Sequence, residues 1–204
     1  MKLLLVAYEY PPNGSGIANL VYNQKKSFTK LGHTVNVLST NKEADITIPL
    51  YFLIQRTGGL GICLFWLISS LYLLMFNKKY DRIYLHNPIC VYTPKNSILI
   101  MHTLYKFMLD DISHSKIMRL YNYLMYSIEN LSYLFYTKKP FIITSDKSAS
   151  ELKSYNCKNI ITKIPNGIEK RLIILNQSKK DYTFITVSRL SKQKNLSKGI
   201  VLLI

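Results

Sequence analysis

Three small groups of residues in this 204-residue chain have the types and spacing to hold a phosphorylated or hydroxylated ligand. The first is Gly14-Ser15-Gly16, a few residues beyond the apolar run 3–8. Glycines there let the backbone approach a phosphate or sugar closely, and a helix starting just after them would aim its free N–H groups at an anion. An ordinary tight turn uses the same residues, and a full G-x-G-x-x-G is absent. The second group is His86 and His102, each at the end of a short apolar segment. An imidazole in that place can donate to a sugar hydroxyl or a phosphate; a histidine satisfied within the fold is the plain alternative. The third is Arg189 and Lys194, on either side of a polar turn after the apolar segment 183–187. Two cations beside a helix start can neutralise a diphosphate and the charge that develops as it leaves, whereas a solvated basic loop would look the same.

The elements that must position these groups follow from the apolar pattern. Residues 3–8 are apolar without alternation, as in a parallel strand covered on both faces. Apolar residues then recur at Ile17, Leu20, Val21, Phe28 and Leu31, near helical spacing, and Gly32 provides a stop. Residues 34–38 are a second strand, so the chain opens with a β-α-β unit whose crossover should be right-handed. Short strands follow at 82–85, 98–101, 141–144 and 160–164, with helical stretches at 104–136 and at about 146–155, the latter capped by Ser145 or Asp146. Pro165-Asn166-Gly167 reads as a turn. The polar, basic residues 175–182 read as a linker, and 183–187 as the start of another strand. Alternating strands and helices imply an α/β fold with a doubly wound parallel sheet. The division expected is a first domain over 1–174 and the opening of a second over 175–204. In such a sheet, ligands bind beyond the carboxyl ends of the strands, where Gly16, His86 and His102 would all lie.

Composition narrows the partners. There are 27 Lys and Arg against 11 Asp and Glu, a net charge of +16. From residue 138 onward 14 basic residues face 4 acidic ones. Such a field favours nucleotide phosphates or an acidic lipid surface, or it is simply a solvated basic face. No nucleic-acid-binding module accompanies it, so nucleic acid is not an expected partner. Cys63, Cys90 and Cys157 are far apart with no ligand-spaced Cys or His beside them, so no metal is expected and a reducing, cytoplasmic setting is. Residues 57–77 carry no charge and are flanked by Arg56 and Lys78-Lys79, long enough for a membrane span. Against a span stand Gly58-Gly59-Leu60-Gly61 at its start, Ser69 and Ser70 within it, and the strand pattern that follows at once. A buried or partly interfacial crossover helix is the preferred reading, with peripheral contact at the inner face of a membrane left open.

The order of these pieces resembles the glycosyltransferase family 4 group, which has the two-domain GT-B fold. The resemblance covers nearly all of the chain. It is carried by Tyr10-Pro11-Pro12 with the glycine loop, Leu31-Gly32-His33-Thr34-Val35-Asn36-Val37, Tyr80-Asp81-Arg82-Ile83-Tyr84-Leu85-His86 and Ile100-Met101-His102-Thr103. It continues through Ile143-Thr144-Ser145 with Glu151-Leu152, Ile164-Pro165-Asn166-Gly167-Ile168-Glu169, and Val187-Ser188-Arg189-Leu190 through Lys194-Asn195. The resemblance implies a retaining transfer of a sugar from a nucleotide-diphosphate sugar to a glycan or lipid-linked acceptor, with the nucleotide sugar as substrate and no cofactor. It implies that Gly16 lies near the donor phosphate, His102 near the transferring sugar as the catalytic candidate, and Arg189 and Lys194 on the diphosphate, with Gly14, Ser15 and His86 as additional candidates. Two departures stand out. Ser15 takes the place of one of the paired glycines of the first loop. No Glu-x7-Glu segment for the donor occurs before Ile204. The expectation is therefore a truncated transferase or a half-enzyme that needs a second polypeptide for its donor domain. A non-catalytic module that binds an acceptor or a partner is the alternative.

Overall fold

The computed structural model of the chain describes residues 1–12, 15–102, 105, 109, 116–155, 157 and 161–165. Its centre is a parallel sheet of seven strands in the order β3-β2-β1-β4-β5-β6-β7. The strands are β1 (Lys2–Val6), β2 (Thr34–Ser39), β3 (Ile46–Thr47), β4 (Arg82–His86), β5 (Ser97–Met101), β6 (Phe141–Ile143) and β7 (Ile161–Lys163). The helices are α1 (Gly16–Lys30), α2 (Tyr51–Arg56), α3 (Gly59–Phe76), α4 (Lys116–Tyr136) and α5 (Asp146–Ser154). The expected α/β fold with a doubly wound parallel sheet is present. The strand at 183–187 and the linker at 175–182 lie outside the described residues.

The sheet contributes to two separate cores, one on each face, and of the described strands only β1, β2 and β4 reach both. Leu4, Val6, Leu38, Ile83, Leu85, Leu99, Met101, Phe141 and Ile143 face one way. They pack against Phe65, Trp66 and Leu73 of α3, Met125, Tyr133 and Tyr136 of α4, and Leu152 of α5. Leu3, Leu5, Ala7, Val35 and Val37 face the other way, against Val21, Ile17 and Phe28 of α1. Chain handedness explains the asymmetry. The β1-to-β2 step runs toward one edge of the sheet, and the helix-bearing steps β3-to-β4, β5-to-β6 and β6-to-β7 all run toward the other. Right-handed crossovers in opposite directions place their helices on opposite faces. Hence α1 stands alone on its face among the described helices.

Local chemistry sets the element ends. Ser15 caps α1, its Oγ accepting from Ala18 N at 3.0 Å, and Gly32 closes it with φ +82, a value that favours glycine. Ser145 caps α5, accepting from Ser148 N at 3.2 Å. The glycines before α3 do more than weaken a helix. A Cβ on Gly61 would fall on the Ile54 carbonyl, and one on Gly59 would strike the Tyr121 ring. They allow α2, α3 and α4 to come close together.

The uncharged stretch 57–77 is α3. It is long and apolar enough to cross a membrane by length and composition. One side of it, including Phe65, Trp66, Ser69 and Leu73, is buried against the sheet, and the other is exposed. Ser70 Oγ accepts from Tyr92 N at 2.9 Å, so this mid-helix serine anchors the loop that joins β4 to β5.

Candidate functional site

The β4–β5 connection, 87–96, contains no helix. It turns sharply, with Asn87 at φ 49 and Cys90 at φ 46. A loop over a parallel sheet must find partners for its backbone groups. Here the helices supply them: Ser132 Oγ accepts from Cys90 N at 2.8 Å and Tyr136 OH accepts from Val91 N at 2.8 Å. Lys139 Nζ donates to the carbonyls of Thr93 and Pro94, both at 2.8 Å. Asn87 then fastens the loop's start to the next strand, its N–H donating to Ile100 O at 2.8 Å and its Oδ1 accepting from His102 N at 2.7 Å. Asparagine is the side chain best suited to combine that left-handed backbone with a local hydrogen bond.

This scaffold brings His86 and His102 together. Register pairs His86 with Ile100, so His102 lies two residues further along the neighbouring strand, on the same sheet face. The rings stack with centroids 5.3 Å apart and planes at 11°. His86 Nδ1 and His102 Nε2 are 3.0 Å apart, one donating and the other accepting. Burial, with His102 adding to it, pushes the His86 ionisation well below its ordinary value. Burial alone pushes His102 down to about 4. Both rings are therefore neutral at physiological pH. Their mutual bond uses one of the two ring N–H groups, so one remaining nitrogen donates to a hydroxyl or phosphate oxygen, the other only accepts, and neither ring carries positive charge. His86 Nε2 is buried without a hydrogen-bond partner among the described residues.

His102 opens into a groove of about 600 Å³ along the exposed side of α1. Its floor is the sheet face carrying Tyr84, Ile100 and Ile142, with His102 and Thr144 at the carboxyl edge of the strands. Its wall is α1, from Leu20 through Gln24 to Lys30. The groove exists because no described helix covers β5 to β7 on this face, whereas a parallel sheet ordinarily has both faces covered. Only the His102–Thr144 end coincides with the edge where α/β sheets bind ligands.

The other expected site residues fall as follows. Ser15 and Gly16 stand at the α1 N-terminus and neither lines the groove, which begins at Leu20. The Ser15 hydroxyl is turned onto its own helix as a cap, and a Cβ at Gly16 would meet open space. Crowding thus demands no glycine at position 16 in this conformation. Gly14, Arg189 and Lys194 lie outside the described residues. Sequence reasoning missed Asn87, and it missed Glu129 on α4. The Glu129 carboxylate accepts from Tyr105 N at 2.8 Å, tying the segment after His102 to the helix beneath it. Burial raises the Glu129 ionisation to about 7, against the opposing pull of the Tyr105 hydrogen bond. A visible signal was that Glu129 is the lone acid of α4, in helical phase with Met125, Ser132 and Tyr133. Comparison of the chain with protein-family models and with curated proteins finds no match to either.

Proposed function

We propose that the described residues form the acceptor-side domain of a glycosyl-transfer protein of the GT-B kind, which uses a nucleotide-diphosphate sugar and a glycan or lipid-linked acceptor. The observation that carries this reading is the stacked, neutral His86–His102 pair at the carboxyl edges of β4 and β5, beside an open groove. A neutral imidazole held by a second imidazole, on a backbone fixed by Asn87, is suited to bind a sugar hydroxyl without attracting the leaving diphosphate to itself. His102 is the residue that touches the sugar in this proposal; His86 and Asn87 are positioning residues. Neutralising the diphosphate is assigned to Arg189 and Lys194, with the α1 N-terminus at Ser15 and Gly16 as a further contact.

The experiment follows the His102 imidazole signals by NMR while a panel of nucleotide-diphosphate sugars and lipid-phosphate-linked saccharides is titrated into the chain. The expected outcome is a saturable shift of His102 with at least one saccharide, and calorimetry should show that saccharide's binding lost in His102→Asn. No response of His102 to any saccharide overturns the reading. Saturable binding to a glycan without turnover of any nucleotide-diphosphate sugar supports the acceptor-binding module instead.

A further inference from the structure

Among the described residues, the outer surfaces of α3 and α4 carry the largest display of exposed apolar side chains. On α3 the exposed residues are Leu60, Leu64, Leu67, Leu71, Leu74 and Met75, with Leu60 and Met75 each 72% exposed. Their spacing of three and four places them in one stripe, opposite the buried stripe of Phe65, Trp66, Ser69 and Leu73. On α4, Ile117, Leu120, Leu124, Leu131 and Leu134 form a second stripe, opposite Met125, Glu129 and Tyr133. Both helices cover the same sheet face and follow crossovers of the same sense, so they run in the same direction; they meet where Tyr121 of α4 lies against Gly59 of α3, and the β4–β5 loop bonds to Ser70 on one and Ser132 on the other. Scattered exposed leucines are ordinary on a protein surface; two aligned stripes on neighbouring helices are not.

Charge identifies what covers them. Neither α2 nor α3 contains an acidic residue. The only acid on α4 is Glu129, which is buried. The charged residues at the ends of these helices are basic and exposed: Arg56, Lys78 and Lys79 around α3, and Lys116, Arg119 and Lys138 around α4. Lys79 Nζ lies 4.5 Å from the Phe76 ring centroid, a cation set against the end of the apolar stripe. Among the described residues the rim is mainly basic, its one acid being the exposed Asp81, whose carboxylate accepts from Lys2 N at 2.6 Å; an apolar plane so edged is complementary to a lipid bilayer with anionic headgroups, where leucines enter the acyl boundary and lysines meet the phosphates. A protein partner with an ordinary mixed surface would place carboxylates against such a rim only by chance. We infer that the outward faces of α3 and α4 together form a monotopic seat on an anionic membrane, with both helices lying in the plane of the bilayer. In that orientation α3 does not span, because its other side is the protein core. The inference goes beyond sugar transfer and stands without it.

The test is co-sedimentation of the purified chain with vesicles of phosphatidylcholine alone and of phosphatidylcholine mixed with phosphatidylserine. The expected result is binding to the mixed vesicles that weakens with added salt and is much poorer on phosphatidylcholine alone. Leu67→Gln with Leu71→Gln should lower partitioning by on the order of tenfold or more. Both side chains lie outside the core, so the thermal unfolding profile should survive and show that the loss is not misfolding. Lys78→Glu with Lys79→Glu should lower binding to the mixed vesicles by about fivefold per charge while leaving phosphatidylcholine binding unchanged. The inference is overturned if the chain stays in the supernatant with mixed vesicles at low salt, or if the leucine variant sediments like the unaltered chain. It is also overturned if light scattering shows a dimer that the leucine substitutions dissolve and that binds no vesicles, since the face would then be covered by a second copy. No saccharide enters this assay, so its failure is separate from failure of the sugar-transfer proposal.

Discussion

At the scale of single residues, three buried ionisable groups pull stability in opposite directions. The His86 and His102 ionisations lie below the 6.5 of a free imidazole, well below for His86 and at about 4 for His102. The unfolded chain therefore binds more protons in acid, and the stability these residues confer is complete above pH 6.5 and lost as pH falls toward 4. Glu129 is shifted upward from 4.5 to about 7, so its contribution is complete below pH 4.5 and lost as pH rises through 7. Between pH 4.5 and 6.5 two histidines oppose one carboxyl, leaving a net loss on acidification that approaches about 1.4 kcal/mol per pH unit. Urea unfolding at a series of pH values should show this slope. Glu129→Gln should steepen it and raise stability at pH 8, and His86→Leu should leave a nearly flat profile as His102 and Glu129 cancel. His102→Asn should also keep the fold while removing saccharide binding, because the Asn87 contact is made to the backbone of residue 102.

At the scale of elements, close packing rests on positions that look unremarkable in a one-dimensional reading. Gly61→Ala forces a methyl group onto the Ile54 carbonyl between α2 and α3. Overpacking of this kind costs about 1–3 kcal/mol, which a thermal melt would report as a lower midpoint. Ser132→Ala removes the acceptor of the half-buried Cys90 N–H and should cost about 0.5–1.5 kcal/mol. The elements themselves were largely legible. Continuous apolar runs gave β1, β4 and β5 within a residue or two, Gly32 gave the end of α1, and Ser145 gave the start of α5. Two elements were not legible. β3 is a two-residue strand, and α2 is six residues without a side-chain cap, so neither is long enough to establish a period. The helix-free route from β4 to β5 also escaped notice, because its supports Ser70, Ser132, Tyr136 and Lys139 are distant in sequence. The two histidines were legible as strand-end residues, but their stacking depends on register between neighbouring strands, which a single sequence does not print. Asn87 was invisible for the same reason, since its value lies in a bond to the following strand.

At the scale of the whole molecule, the sense of the crossovers decides what each side can do. Helix-bearing steps in one direction load α3, α4 and α5 onto one face, and the single step in the other direction leaves α1 alone. The loaded face ends in the leucine stripes and the lightly covered face ends in the groove, so membrane seat and ligand groove fall on opposite sides of the sheet. The termini of the sheet carry one more consequence. Its outermost described strands, β3 and β7, are two and three residues long, so they offer an incoming chain only a few backbone hydrogen-bonding groups to copy. Ribbon-like growth from those borders is thereby discouraged, and overexpressed protein that clumps should do so through its oily helices, in a form that mild detergent disperses.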